Sequence, residues 1–168
     1  MHLIWEQHVS WTRMTIMCIV FDLSDVEAVT ARLIRNPTDM GRVFRRYYGD
    51  QIALKLRDLF TEHLTIAAEL VNSVKVGDNV KAEDANRRWY SNADEIARFL
   101  AQINPYWSEG LWRRMLHEHL RLTSDEAVTM LNRDYDGDIK LYDEIELQAL
   151  TMADEMTRGI VIQFPGEL

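Results

Sequence analysis

Apolar residues recur along this chain at three- and four-residue spacing, and the breaks between the periodic stretches are helix punctuation. A first helix is predicted over about Leu3 to Asp22, apolar on most sides and so largely buried. Ser24 with Glu27 matches a capping box for a short helix to about Ile34. Asn36-Pro37-Thr38 breaks it, and Thr38 can cap another short piece that ends near Gly49. A long helix follows from about Asp50 to Lys75, closed by Gly77, and Asp78 caps the next, which runs to Ile103 before Asn104-Pro105. Ser108 caps a helix to about Leu122. Thr123 with Glu126 reads as a further capping box for a short helix to Asn132, and the last helix runs from about Asp138 to Phe164. Four long helices joined by shorter ones predict an all-α fold, an antiparallel four-helix bundle with additional short helices, as a single domain over residues 1–168.

Each predicted inward seam carries one polar interruption. On the first helix the stripe is Ile4, His8, Trp11, Thr15 and Cys18; on the others His63, Asn92, His119 and Glu146 interrupt otherwise apolar faces. An unpartnered buried polar group costs a few kcal/mol, so five of them need a reason. At about 1.5 Å per residue, His8 lies roughly 21 Å from Asp22, and His63 about 20 Å from Asp50 on a helix assumed to return antiparallel. The same arithmetic puts Asn92 about 21 Å, His119 about 16 Å and Glu146 about 12 Å from the starts of their helices, so all five can share one layer.

Three imidazoles and a carboxylate from different helices suit a transition metal, with Fe, Zn and Mn as the leading ions. The predicted ligands are His8, His63, His119 and Glu146, with Asn92 bonding a histidine's other nitrogen. Whether such a site is catalytic is left open; were it so, metal-bound water or dioxygen would be the reactive group. The alternative is a non-catalytic ligand-binding or interaction bundle whose inward polar groups form a structural network fixing helix register. No Glu-x-x-His pair of the di-iron bundles is present, and the two histidines of His117-Glu118-His119 point to opposite faces, leaving His117 toward solvent. Asp154 is expected to pair with Arg158 one turn on.

A third reading attaches to Asn132 through Asp143, where oxygen-bearing side chains stand at positions one, three and five of an EF-hand-like loop, with Gly137 at six. Position one is Asn and position twelve is Asp rather than Glu, and no second hand accompanies it. The plain alternative is an acidic turn in which Asp136 or Asp138 caps the last helix.

Composition narrows the field. With 19 basic and 27 acidic residues the net charge is −8, which argues against nucleic acid as a partner. The lone Cys18 excludes an internal disulfide framework, and 3 Pro with 7 Gly disfavour turn-rich β folds. The longest apolar run, Met14 to Phe21, is shorter than a bilayer span, and the N-terminus has no signal-peptide pattern, so a cytoplasmic protein with no membrane partner is expected. Walker, Gly-x-Gly-x-x-Gly and Gly-x-Ser-x-Gly patterns are missing. The apolar excess on the first helix allows for a homodimer. Substrate identity is not encoded in any of these features.

The stretches Trp5-Glu6-Gln7-His8-Val9-Ser10-Trp11-Thr12-Arg13, Thr61-Glu62-His63-Leu64, Asn104-Pro105-Tyr106-Trp107 and Met152-Ala153-Asp154 resemble an uncharacterised family of small helical proteins from spore-forming bacteria. The resemblance spans nearly the whole chain. Some members carry an acetylglutamate kinase label, which this sequence contradicts, because the alternating strands and glycine-rich phosphate loops of such a kinase are missing. The resemblance implies no activity and assigns no residue a role.

Overall fold

Six helices form close to where the apolar spacing places them: α1 (His2–Val20), α2 (Val26–Ile34), α3 (Asn36–Lys75), α4 (Asn79–Ile103), α5 (Glu109–Leu131) and α6 (Tyr135–Gln163). The structure, a computed structural model, describes residues 1–166, and among these there is no strand. The fold is the all-α helical bundle expected from the sequence. Asp78 and Ser108 cap α4 and α5 as predicted, accepting from the backbone N–H of Lys81 and Leu111.

Several local expectations are corrected. The N-cap of α2 is Asp25, with no side-chain cap bond, rather than Ser24. Thr38 lies inside the first turn of α3, which starts at Asn36 with Pro37 in a position that tolerates its missing N–H. Thr123 does not open a helix: its hydroxyl donates to the carbonyl of His119 at 2.8 Å, and α5 runs through it, giving the bundle a fifth long member. Asp134, not Asp136 or Asp138, caps α6 by accepting from Gly137 N–H. Helix therefore begins at Tyr135, and most of the EF-hand-like stretch is coiled into α6 instead of forming a chelating loop. Asp154 pairs with His2, while Arg158 binds Glu155.

At Gly49 the backbone leaves helical geometry at φ 78° and ψ 178°, a region open almost only to glycine. This divides α3 into a short arm, 36–48, and a long arm, 50–75. α2 carries the chain back along α1, with Arg32 over the Trp11 ring and Asn36 donating to the carbonyl of Ile4, and the short arm runs on past the start of α1 to Tyr48, which meets Gln163 and Phe164. Trp5 meets Phe60, and Lys75 donates to the carbonyl of Ile19 at 2.6 Å, so α1 and the long arm run parallel rather than antiparallel as assumed from the sequence. His8–His119 and Arg13–Glu126 contacts show the same sense for α1 and α5. Two further pairings are antiparallel: Lys55–Glu95 and Glu69–Arg88 join α3 to α4, and Ser10–Tyr142 and Arg13–Asp138 join α1 to α6.

The main core draws on α1 and α3 to α6, around side chains such as Leu56, Ile96, Trp112 and Met152, none of which is exposed, and a smaller cluster of Ile16, Ile19, Val71, Ala127 and Met130 joins α1, α3 and α5. Burying each such side chain stabilises the fold by about 1.5–3 kcal/mol. On α1 the buried residues are Trp5, His8, Val9, Thr12, Thr15, Ile16, Cys18 and Ile19; of the predicted stripe His8, Thr15 and Cys18 are buried, while Ile4 and Trp11 are only half-buried.

Gly159 of α6 meets the indole of Trp107, which donates to the carbonyl of Glu155 at 3.1 Å; a Cβ on Gly159 would stand 1.9 Å from that indole nitrogen. Gly159→Ala is therefore expected to destabilise the protein by about 1–3 kcal/mol through forced displacement of Trp107. Urea unfolding monitored by circular dichroism checks this, and an unchanged midpoint would contradict it.

Candidate functional site

The three imidazoles of the predicted layer are brought together. His8, His63 and His119, from α1, α3 and α5, are 2–3% exposed. The rings of His8 and His119 lie 5.6 Å apart between centroids, inclined at 38°. They reach one level because α1 and the long arm of α3 run parallel: His8 is three residues beyond Trp5, and His63 three beyond Phe60, the pair that touches. α5 then runs in the same sense and brings His119 alongside.

Amide side chains fix the orientation of two rings. Asn92 donates from its amide nitrogen to the carbonyl of Leu59, so its oxygen accepts from His63 Nδ1–H at 2.8 Å. Likewise Gln148 donates to the carbonyl of Met115 and accepts from His119 Nδ1–H at 3.0 Å. In the neutral form both rings thereby carry the proton on Nδ1 and the lone pair on Nε2. On His63 that lone pair is occupied, because the indole of Trp89 donates to it at 3.1 Å. On His119 no described residue hydrogen-bonds to Nε2. The third ring is held more loosely: the amide of Asn36 donates to the carbonyl of Ile4 and stands beside His8 as its hydrogen-bonding neighbour, but His8 Nδ1 and Asn36 Oδ1 are both buried without a bond of good geometry among the described residues, and the Trp5 ring is edge-on at 5.5 Å.

Burial is the main force on all three titrations. It lowers His63 to about 3, with Asn92 opposing and His119 assisting. It lowers His119 to about 4 against the bond to Gln148. His8 falls well below the ordinary value through burial and then its neighbours His119 and His63, with Asn36 opposing. At neutral pH the layer therefore holds three uncharged imidazoles, the form that binds metals.

Glu146 does not join them. It sits half-buried on α6, where the charge of Glu6 on α1 is the first cause raising its pKa. The α6 core face runs Ile145, Ala149, Met152 and Ala153, and the polar residue it carries beside His119 is Gln148. Tracing that face back from Met152 by three- and four-residue steps picks out Gln148 and Ile145, a signal the sequence offered. His117, expected toward solvent, is part-buried and bonds Asp94 at 2.8 Å. Among the described residues no group of three or more His, Cys, Asp or Glu side chains is arranged to hold a metal ion.

A second polar cluster lies about one turn further along α1 and was missed from the sequence. Arg13 reaches both Glu126 of α5 and Asp138 of α6, whose side chains are 2% and 7% exposed, and its guanidinium lies over the Tyr142 ring. Two carboxylates share one cation. Burial raises Glu126 to about 7, although the charge of Arg13 pulls the other way. Its partners are 113 and 125 positions away in sequence, so no local pattern reports the cluster.

Compared with protein-family models, curated proteins and solved structures, the chain matches none, so its function has to be argued from its own geometry. Among the described residues no helix is long and apolar enough to cross a membrane.

The two clusters push stability in opposite directions with pH. The imidazoles have folded pKa values below the unfolded value near 6.5, so the unfolded chain takes up protons the fold refuses, and stability is lost as pH falls below about 6.5. Between pH 7 and pH 5 the loss is on the order of 2 kcal/mol for each of His63 and His119. Glu126 has a raised folded pKa, so its contribution is present below about 4.5 and is lost as pH rises through about 7. Glu126→Gln removes that opposing term and is expected to steepen the loss between pH 7 and pH 5, read by urea unfolding at both values. An unaltered slope would contradict the assignment.

Proposed function

We propose that the bundle binds a transition-metal ion at its buried imidazole layer, with His8 and His119 as the primary ligands. The observation that carries this is the facing of these two rings, 5.6 Å apart, with His8 Nδ1 unpartnered. Metal–nitrogen bonds run about 2.0–2.1 Å, so an ion bonded to both rings would separate their centroids by roughly 5–6.5 Å. The Gln148 bond at Nδ1 leaves His119 Nε2 directed away from its support, as outer bonds commonly do for metal-bound histidines. His63 is the candidate third ligand, and Asn92 already orients it, but its Nε2 must first exchange the Trp89 indole for the ion. Glu146 stands apart with Glu6 and is left out of the ligand set. Imidazole donors are compatible with Fe, Zn or Mn, and the ion would serve as a Lewis acid if the site is catalytic.

A second reading has its own support. His63 is saturated by Asn92 and Trp89, and the chain from Leu59 through Asn92 to His63 ties α3 to α4. Such a network fixes helix register without any ligand. It supports a non-catalytic scaffold in which the histidines are structural.

Elemental analysis of protein purified without added metal separates the two, followed by titration with Co(II) or Zn(II). The metal reading expects close to one equivalent, lost in His8→Ala and in His119→Ala and retained in Glu146→Gln. Trp89→Phe frees His63 Nε2 and is expected to tighten Co(II) binding. Less than about a tenth of an equivalent, with no binding on titration, would leave only the structural network.

A further inference from the structure

One turn beyond the imidazole layer the core does not close. Thr12 and Thr123 lie four residues past His8 and His119, and beside them opens a cleft of about 160 Å³ between α1, α3, α4 and α5. Its inner wall is made by Ile16, Leu64, Val71 and the indole of Trp89, all buried, while Val74 and Val128 are partly exposed toward its mouth. Leu33 of α2 reaches it from the side. Among the described residues no charged side chain lines it, and Asn86 and Ser124 join the threonines as its polar lining. The threonine hydroxyls are not free donors, since Thr12, Thr15 and Thr123 each donate to the carbonyl one turn back.

We propose that this cleft is a binding site for a small uncharged apolar molecule about the size of one aromatic ring. Three features fix that class. The volume is well below the roughly 300 Å³ at which drug-sized ligands begin, and it matches the roughly 150 Å³ apolar cavity that takes up benzene or xenon. An uncharged wall in a chain of net charge −8 gives an ionised ligand no counter-charge to exchange for its water, and the threonine hydroxyls are already committed to backbone carbonyls. The partly exposed valines place the opening at the surface, so entry needs no unfolding of the bundle. The site stands without a metal in the adjacent layer. Trp89 is shared by the two, lining the cleft and donating to His63 Nε2, so an occupant would touch the residue that gates the third imidazole.

The test uses the full chain and three probes: xenon, followed by its ¹²⁹Xe chemical shift, and benzene against benzoate, followed by thermal unfolding. Benzene is expected to raise Tm in a concentration-dependent way, as any ligand of the folded state does, with benzoate giving no rise. The ¹²⁹Xe shift is expected to depend on protein concentration and to be reversed by benzene. Ala127→Leu fills the cleft and is expected to abolish both responses; if it fails to fold, Ala68→Leu from the facing helix serves the same end, and benzene reversal of the xenon shift reads the site in the unaltered protein. No xenon shift, a xenon shift that benzene leaves untouched, or benzoate stabilising as well as benzene would overturn the proposal. Because the probes carry no metal-binding group and the experiment is run in chelator, its failure leaves the imidazole site untouched, and the reverse holds for metal titration.

Discussion

The arrangement of this bundle depends on one constraint in the path of the chain: after α1, it must return to the level where α1 began before the long arm of α3 starts. α2 makes that return, the 36–48 arm carries the chain beyond it, and Gly49 supplies the turn between the arms with a backbone geometry that side chains disfavour. Gly41 of the short arm packs against the long arm, where an added Cβ would stand 3.2 Å from the carbonyl oxygen of Ala53, a tight contact. Because the return is complete, α1, the long arm and α5 all point one way, and residues at equal depth in each come together. The convergence of His8, His63 and His119 is a consequence of that path, as is the reach of Arg13 to Glu126.

The sequence made the helices legible and left the path obscure. Caps at Asp78 and Ser108 and the break at Asn104-Pro105 are local chemistry, so they could be read directly. Thr123 misled because a threonine three residues before a glutamate looks the same whether its hydroxyl caps a new helix or bonds back to His119, as it does here. The His layer was legible for a partly wrong reason. An antiparallel α1 and α3 was assumed, and their parallel course still levels the two histidines because each sits about the same distance from its end. Glu146 was misplaced by phase: a seam stepped from Tyr142 rather than back from Met152 selects Glu146, and the core selects Ile145 and Gln148. The Arg13 cluster had no local signature at all.

The interior combines two ways of keeping polar groups under cover. Around His63 and His119 each amide side chain satisfies a backbone carbonyl and an imidazole at once, which neutralises the cost of burial. Around Arg13 two carboxylates divide a single guanidinium, and burial outweighs its attraction at Glu126. His8 follows the amide pattern less completely, with Asn36 beside it but its buried Nδ1 outside good hydrogen-bond geometry, and it faces another imidazole. That facing of two rings is what supports the proposed metal site, and the proposed apolar site beside it shares Trp89 with the layer.

The most direct examination of this account is a long-range ¹H–¹⁵N spectrum of the histidine side chains at neutral pH, recorded with and without Zn(II). The account requires His63 and His119 to be neutral with the proton on Nδ1, and Zn(II) to move the ring nitrogens of His8 and His119. A protonated ring in the layer, or ring nitrogens of both residues indifferent to Zn(II), would contradict it.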